Sequence, residues 1–114
     1  IGVIARSTLY EGGLSGCFNE HTTFNEGDWR RDYFHPEHLQ EVVSRAAHIQ
    51  NDITTKDQTL AAFAIQFALS HPAVTSVILG MRSKQHLLEN IKVSDGPVLS
   101  WPQLEALKKH NWLC

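Results

Sequence analysis

Two stretches of this sequence read as β-strands, and helical sequence separates them. Gly2-Val3-Ile4-Ala5 is a short apolar run that meets polar, glycine-rich sequence at Arg6. It suits a parallel strand buried on both faces. Val74 to Leu79 is β-branched and apolar, and Gly80 ends it. With helices between and after them, the order is strand, helix, helix, strand, helix, helix. That is α/β sequence, in which parallel strands need covering helices. Two parallel strands with unpaired edges on both sides do not make a stable sheet. Further strands are therefore expected to complete it. The chain also begins with Ile1 and not Met, and it reads as a piece of something longer.

The helices carry local signatures. From Pro36, which suits a first turn, Leu39, Val42, Val43, Ala46 and Ile49 follow the helical period. Thr59 is an N-cap for a helix running to Leu69, apolar nearly all round and so buried on more than one side. Pro72 stops it. Ser83 caps a helix carrying Leu87, Leu88 and Ile91, closed by Asp95-Gly96-Pro97. Ser100 and Gln103 form a capping box for a last helix with Leu104 and Leu107 inward, ending near Trp112. Ser7 to Gly16, with Gly12, Gly13 and Gly16, is a loop or tight corner. Asn19 to Tyr33 reads as a long surface loop.

Composition narrows the function classes. The 114 residues include 10 Lys+Arg and 12 Asp+Glu, a net charge of −2. A near-neutral chain is no phosphate-neutralising nucleic-acid binder. No apolar run approaches the roughly 20 residues of a membrane helix. Cys17 and Cys114 are far apart, without a CxxC, which argues against a disulfide framework or structural zinc and suits a reducing, cytoplasmic setting. His35, Glu37 and His38 invite a metal reading, but a helix start at Pro36 explains the motif as well.

Two motifs carry a specific resemblance. Gly2-Val3-Ile4-Ala5-Arg6-Ser7-Thr8-Leu9-Tyr10-Glu11-Gly12-Gly13-Leu14-Ser15-Gly16 resembles the aldo/keto reductase segment in which a strand ends in Ser-Pro-Leu and leads to Gly-x-Leu-Thr-Gly-Lys. Ser70-His71-Pro72-Ala73-Val74-Thr75-Ser76-Val77-Ile78-Leu79-Gly80-Met81-Arg82, with His86-Leu87-Leu88-Glu89-Asn90 after it, resembles the family's last strand, its glycine turn and its Glu-Asn helix. The helix Leu60 to Ser70 and the loop Phe24 to Arg31 add to the likeness, which covers essentially all 114 residues. Each short motif alone is weak. The glycines alone fit simple chain reversal, Glu89 and Asn90 fit a solvated helix face, and Arg82 fits a surface cation.

The resemblance implies an α/β fold that is the C-terminal part of a (β/α)₈ TIM barrel, strands 7 and 8 with their helices, an incomplete barrel. Residues 1–114 would be a partial aldo/keto reductase domain. It implies NADP(H) as cofactor and a small aldehyde or ketone as substrate of the parent enzyme. Ser7, Leu9, Gly12, Leu14 and Gly16 match positions lining the cofactor pyrophosphate. Gly80, Arg82, His86, Glu89 and Asn90 match those around the adenosine and its 2′-phosphate, and Arg30 or Arg31 clasps the cofactor from the long loop. TIM barrels often bind phosphate with the loops after strands 7 and 8 and a nearby helix N-terminus.

Departures stand beside these matches. Cys17 replaces a common phosphate-contacting Lys, Thr8 replaces a Pro, and Glu11 would repel phosphate if it faced inward. The family's catalytic Asp, Tyr, Lys and His motifs have no counterpart, and Asp28 with Tyr33 shares a spacing by coincidence. The chain alone is therefore expected to be inactive and to self-associate or pair with a complementing N-terminal chain. The second reading is a non-catalytic nucleotide-binding or regulatory module that assembles with a partner chain.

Overall fold

The computed structural model describes residues 1–53, 55 and 57–111. Strand β1 spans Val3–Ala5 and β2 spans Val74–Val77. They pair in parallel, with Val3 opposite Val74, Ile4 opposite Ser76 and Ala5 opposite Val77. The register shifts between Val3 and Ile4. At that irregularity the Val3 N–H donates to the Thr75 hydroxyl at 3.2 Å. A side chain thus satisfies a strand donor beside the break in register.

Among the described residues, five α-helices accompany the sheet: α1 (Arg30–Tyr33), α2 (Pro36–Ile53), α3 (Leu60–Leu69), α4 (Lys84–Ser94) and α5 (Trp101–Leu107). The expected caps are in place. The Thr59 hydroxyl accepts from the Ala62 N–H, and the Ser83 hydroxyl accepts from the His86 N–H. The Ser100 N–H donates to the Gln103 side chain at 3.0 Å. A 3₁₀ turn, Lys108–His110, follows α5. The expected helix end near Trp112, and Cys114, lie outside the described residues.

The apolar stripe of α2 divides between two clusters. Ala46 and Ile49 join Leu60, Phe63 and Leu99. Leu39 and Val42 join Phe34, with Tyr10, Phe18, Phe24 and Val43 packed against them. Helix α3 lies against β2, α2 and α4.

Three expectations need correction. The Asn19–Tyr33 stretch is not purely a surface loop. Phe24 stacks on Phe34 with ring centroids 5.7 Å apart, and the last four residues form α1. Its aromatic residues had no period to reveal them, but Phe24, partly buried against Phe34, Leu39 and Val42, ties the loop to α2. The strands are not buried on both faces either: Val3 is 41% and Ile4 60% exposed. Nor is α3 covered all round, since Phe67 is 52% exposed. The reason is the same in each case: no described residue covers these surfaces. The same holds for Leu87, Leu88 and Ile91 of α4, all exposed. No helix among the described residues is long and apolar enough to cross a membrane.

Candidate anion-binding site

Because β1 and β2 are parallel, the segments that leave their carboxyl ends emerge on the same side of the sheet. One is the turn from Ser7 to Gly16. The other is the corner from Ile78 to Ser83, which leads into α4.

The turn is unusual in its backbone. Ser7, Tyr10 and Glu11 adopt left-handed φ values of 55°, 50° and 54°. Each such residue costs roughly 1–2 kcal/mol relative to right-handed backbone. Strain of this kind persists only when surrounding contacts over-determine it, and it concentrates at functional sites. Here the contacts are visible. The Ser7 hydroxyl donates to the Glu11 carboxylate at 2.7 Å. Gly13 allows the turn to lie on α2, since a Cβ there would come within 2.7 Å of Val42 Cγ1. Gly12 adopts φ +108°, which glycine alone tolerates readily.

The turn spends its backbone donors on itself. The N–H groups of Tyr10, Gly12, Gly13, Leu14 and Ser15 donate to the carbonyls of Ser7, Leu9, Tyr10, Leu9 and Gly12. They do not form an outward-facing nest for an anion. Leu14 also points away, its side chain packing against the Ala46–Phe63 cluster. The side chains of Ser7 and Glu11, with Leu9 beside them, mark the outer surface.

The long loop supplies the cations' neighbourhood. The Arg30 guanidinium contacts the Asp28 carboxylate at 2.6 Å and lies 5.0 Å from the Phe24 ring centroid. Asp28 also accepts the Arg30 backbone N–H at 3.1 Å, which fixes the start of α1. These bonds from the Arg30 side chain and then its backbone hold the Asp28 carboxyl at about 2, below its ordinary value of 3.8. Arg82, from the corner after β2, adds a weaker electrostatic pull. Glu11 in turn acts on Arg30. Ser7, Glu11, Arg30, Asp28 and Arg82 thus form one charged neighbourhood that joins turn, loop and corner. Arg31, the alternative to Arg30, is exposed.

The sign of the Asp28 effect is fixed. A carboxylate whose folded value is depressed stabilises the folded state when ionised. That contribution is complete above the ordinary value of 3.8 and is lost as pH falls through about 2. An NMR titration of the Asp28 side chain should show its midpoint near 2, and Arg30→Gln should return it towards 3.8. An unmoved midpoint in the variant would refute the pairing.

On the α4 side, Gly80, Arg82 and His86 are exposed, and Asn90 is half-buried. Arg82 makes no ion pair with any described residue, whereas Arg30 is already engaged. Ser83 occupies the His86 N–H at the start of α4. Glu89 accepts from Gln85 at 2.8 Å along the same helix. Gly16, at φ +78°, lies where the turn passes Leu60.

A separate apolar cavity of about 730 Å³ opens between the turn, α2, α3 and α5, with Leu14, Ile49, Phe63 and Leu104 in its walls. Thr8 Oγ1, buried without a hydrogen-bond partner, borders it. Its walls are largely apolar, which does not suit a phosphate.

Sequence reasoning missed Asp28 as the partner of Arg30, because its spacing to Tyr33 drew attention instead. It also missed Tyr10, Tyr33 and His38 as a bonded group. No local pattern signals contacts across 23 and 28 residues.

The fold has a known counterpart. The glycerol dehydrogenase from Gluconobacter oxydans superposes on 96% of this chain with a TM-score of 0.82 at 22% identity. The chain spans 33% of that enzyme's length. Comparison with curated protein sequences gives no significant match. The sequence model of the aldo/keto reductase family matches residues 1–111, and the chain belongs to that family.

Proposed function

We propose that these residues form the cofactor-binding C-terminal portion of an NADP(H)-dependent aldo/keto reductase acting on aldehydes or ketones. The observation that carries this reading is that Ser7, bonded to Glu11, and Arg82 lie on the segments leaving the carboxyl ends of two adjacent parallel strands, with the Arg30–Asp28 pair on the loop beside them. Ligands of α/β sheets bind at that end. The residues present fit a phosphorylated dinucleotide. Arg82 is exposed and outside any described ion pair, and a guanidinium matches phosphate geometry in bidentate fashion. It would take the 2′-phosphate. His86, Glu89 and Asn90 would line the adenosine, and Ser7, Leu9, Gly12, Leu14 and Gly16 the pyrophosphate. Because the N–H groups of Tyr10, Gly12, Gly13, Leu14 and Ser15 are used within the turn, its polar contact would come from the Ser7 hydroxyl, which would exchange Glu11 for phosphate oxygen. When bound, NADPH supplies the hydride for carbonyl reduction.

In this reading the exposed faces of β1 and β2 are covered by further β/α units of a barrel, which also bring the proton donor. A complete barrel takes about 250 residues. The apolar exposure of Ile4, Ile78 and Leu88 supports that completion. The relative's threefold greater length is in keeping with it.

Fluorescence titration of the chain with NADPH and with NADH tests the proposal. NADPH should bind the more tightly, and neither should support aldehyde reduction by these residues alone. Equal affinities would remove the 2′-phosphate role, and no binding of either nucleotide would remove the cofactor site.

A further inference from the structure

The His35-to-His38 motif finds a use that no metal requires. The Tyr33 hydroxyl donates to the Tyr10 hydroxyl at 3.1 Å. The Tyr10 hydroxyl meets His38 Nε2 at 3.0 Å. His38 Nδ1 meets the Tyr33 backbone carbonyl at 3.1 Å, which closes a ring. A carbonyl oxygen only accepts, so Nδ1 carries the proton. In the neutral imidazole Nε2 then accepts from Tyr10, and Tyr10 accepts from Tyr33. Every donor in the ring has an acceptor and all run in one sense. Three separate segments meet there: the turn after β1, helix α1 and the first turn of α2.

We infer that the Tyr33–Tyr10–His38 ring is a positioning device that holds the strained turn after β1 in the shape the cofactor needs. Tyr10 is one of the three non-glycine residues of that turn with left-handed backbone. Its N–H donates to the Ser7 carbonyl, and its carbonyl accepts the Gly13 N–H at 2.9 Å. The Tyr10 backbone therefore braces both Ser7 and Gly13, and its side chain is anchored on two helices. A turn held this way is competent before the ligand arrives. A turn released from the anchor is competent only part of the time, and apparent affinity falls by that fraction. Because α1 ends the loop that carries Asp28 and Arg30, the same ring also ties that loop to the turn.

This inference rests on the reading that the turn receives NADPH, so its test uses two independent readouts on the full chain. The first is NADPH affinity of Tyr10→Phe, His38→Leu, their double variant and His38→Gln. The Phe ring keeps the packing of Tyr10 and removes only the bridging hydroxyl. Each single variant should weaken binding about 3- to 10-fold, the size of one lost hydrogen bond. The double variant should be no weaker than either single one, since all three open the same ring. His38→Gln, whose amide both donates and accepts, should recover part of the loss. Circular dichroism establishes that each variant is folded. The second readout is NMR. Nitrogen-15 shifts should place the proton of His38 on Nδ1, and amide exchange of Gly12, Gly13 and Leu14 should accelerate in Tyr10→Phe. Wild-type affinity in Tyr10→Phe, or losses that multiply in the double variant, would overturn the inference. Unchanged exchange would do the same. If the wild-type chain binds no NADPH while exchange still responds, the cofactor reading fails and the ring remains a brace for the turn.

Discussion

Arg82→Ala should weaken NADPH binding about 10- to 30-fold and change NADH binding by less than about twofold. The magnitude follows from a charge-assisted contact to a doubly charged phosphate, worth about 1.5–3 kcal/mol in protected sites. Arg82 is exposed, so screening places the loss in the lower part of that range. The selectivity follows from geometry. Arg82 lies on the corner after β2, beside the start of α4, and not on the turn after β1. A cation there addresses one end of the dinucleotide. Arg30 cannot replace it, because its guanidinium is already bonded to Asp28 at 2.6 Å. The NADPH affinity should also fall with added salt in the wild type and respond much less in the variant. Parallel losses for the two nucleotides would show that Arg82 supports the fold or the pyrophosphate, and the assignment of the 2′-phosphate would then be wrong.

Phe63→Ala should destabilise the chain by about 3–5 kcal/mol, the range for emptying a buried aromatic site. Phe63 is 2% exposed and sits in the cluster that joins α2, α3 and the segment before α5. Native domains have only about 5–15 kcal/mol in total, so the loss removes a large share of the stability. The cavity beside Phe63 enlarges when the ring is removed. Phe67→Ala is the internal control. Phe67 lies one helical turn further along α3 but is 52% exposed, so its loss should stay below about 1 kcal/mol. Urea denaturation of both variants measures the difference. Similar midpoints for the two would mean that α3 does not bury the face assigned to it.

The local grammar of the fold was legible. Thr59 and Ser83 were readable as caps because a hydroxyl three residues before a backbone N–H satisfies one of a helix's orphan donors. Both bonds are present. The spacing of Leu39, Val42, Val43, Ala46 and Ile49 identified the core face of α2; four of them are buried and Val43 is half-buried. The strands were readable as strands, but their burial was not. Periodicity says that a surface is apolar and does not say which residues cover it.

The candidate site was legible only in part. Gly12, Gly13 and Gly16 announced a tight turn, yet glycine count does not show where the amides point. They point inward, to Ser7, Leu9, Tyr10 and Gly12. The engagement of Arg30 by Asp28 sets which arginine is available. That depends on a short-range side-chain geometry that the sequence permits without requiring. The pairing of Tyr10 with His38 is decided by how the turn lies on α2, a long-range outcome of packing around Val42.

The sheet has a kinetic consequence. The Val3 to Thr75 bond joins residues 72 positions apart, with three helices between them. Closing a loop of that length carries an entropic penalty of about 4 kcal/mol beyond a constant term. Contacts of such high sequence separation slow folding, while helices form early from local contacts. The three-residue strand β1 is therefore expected to dock after α2 and α3 have assembled. Its departure would bare the edge of β2 to any other strand within reach, including the same segment of a second molecule.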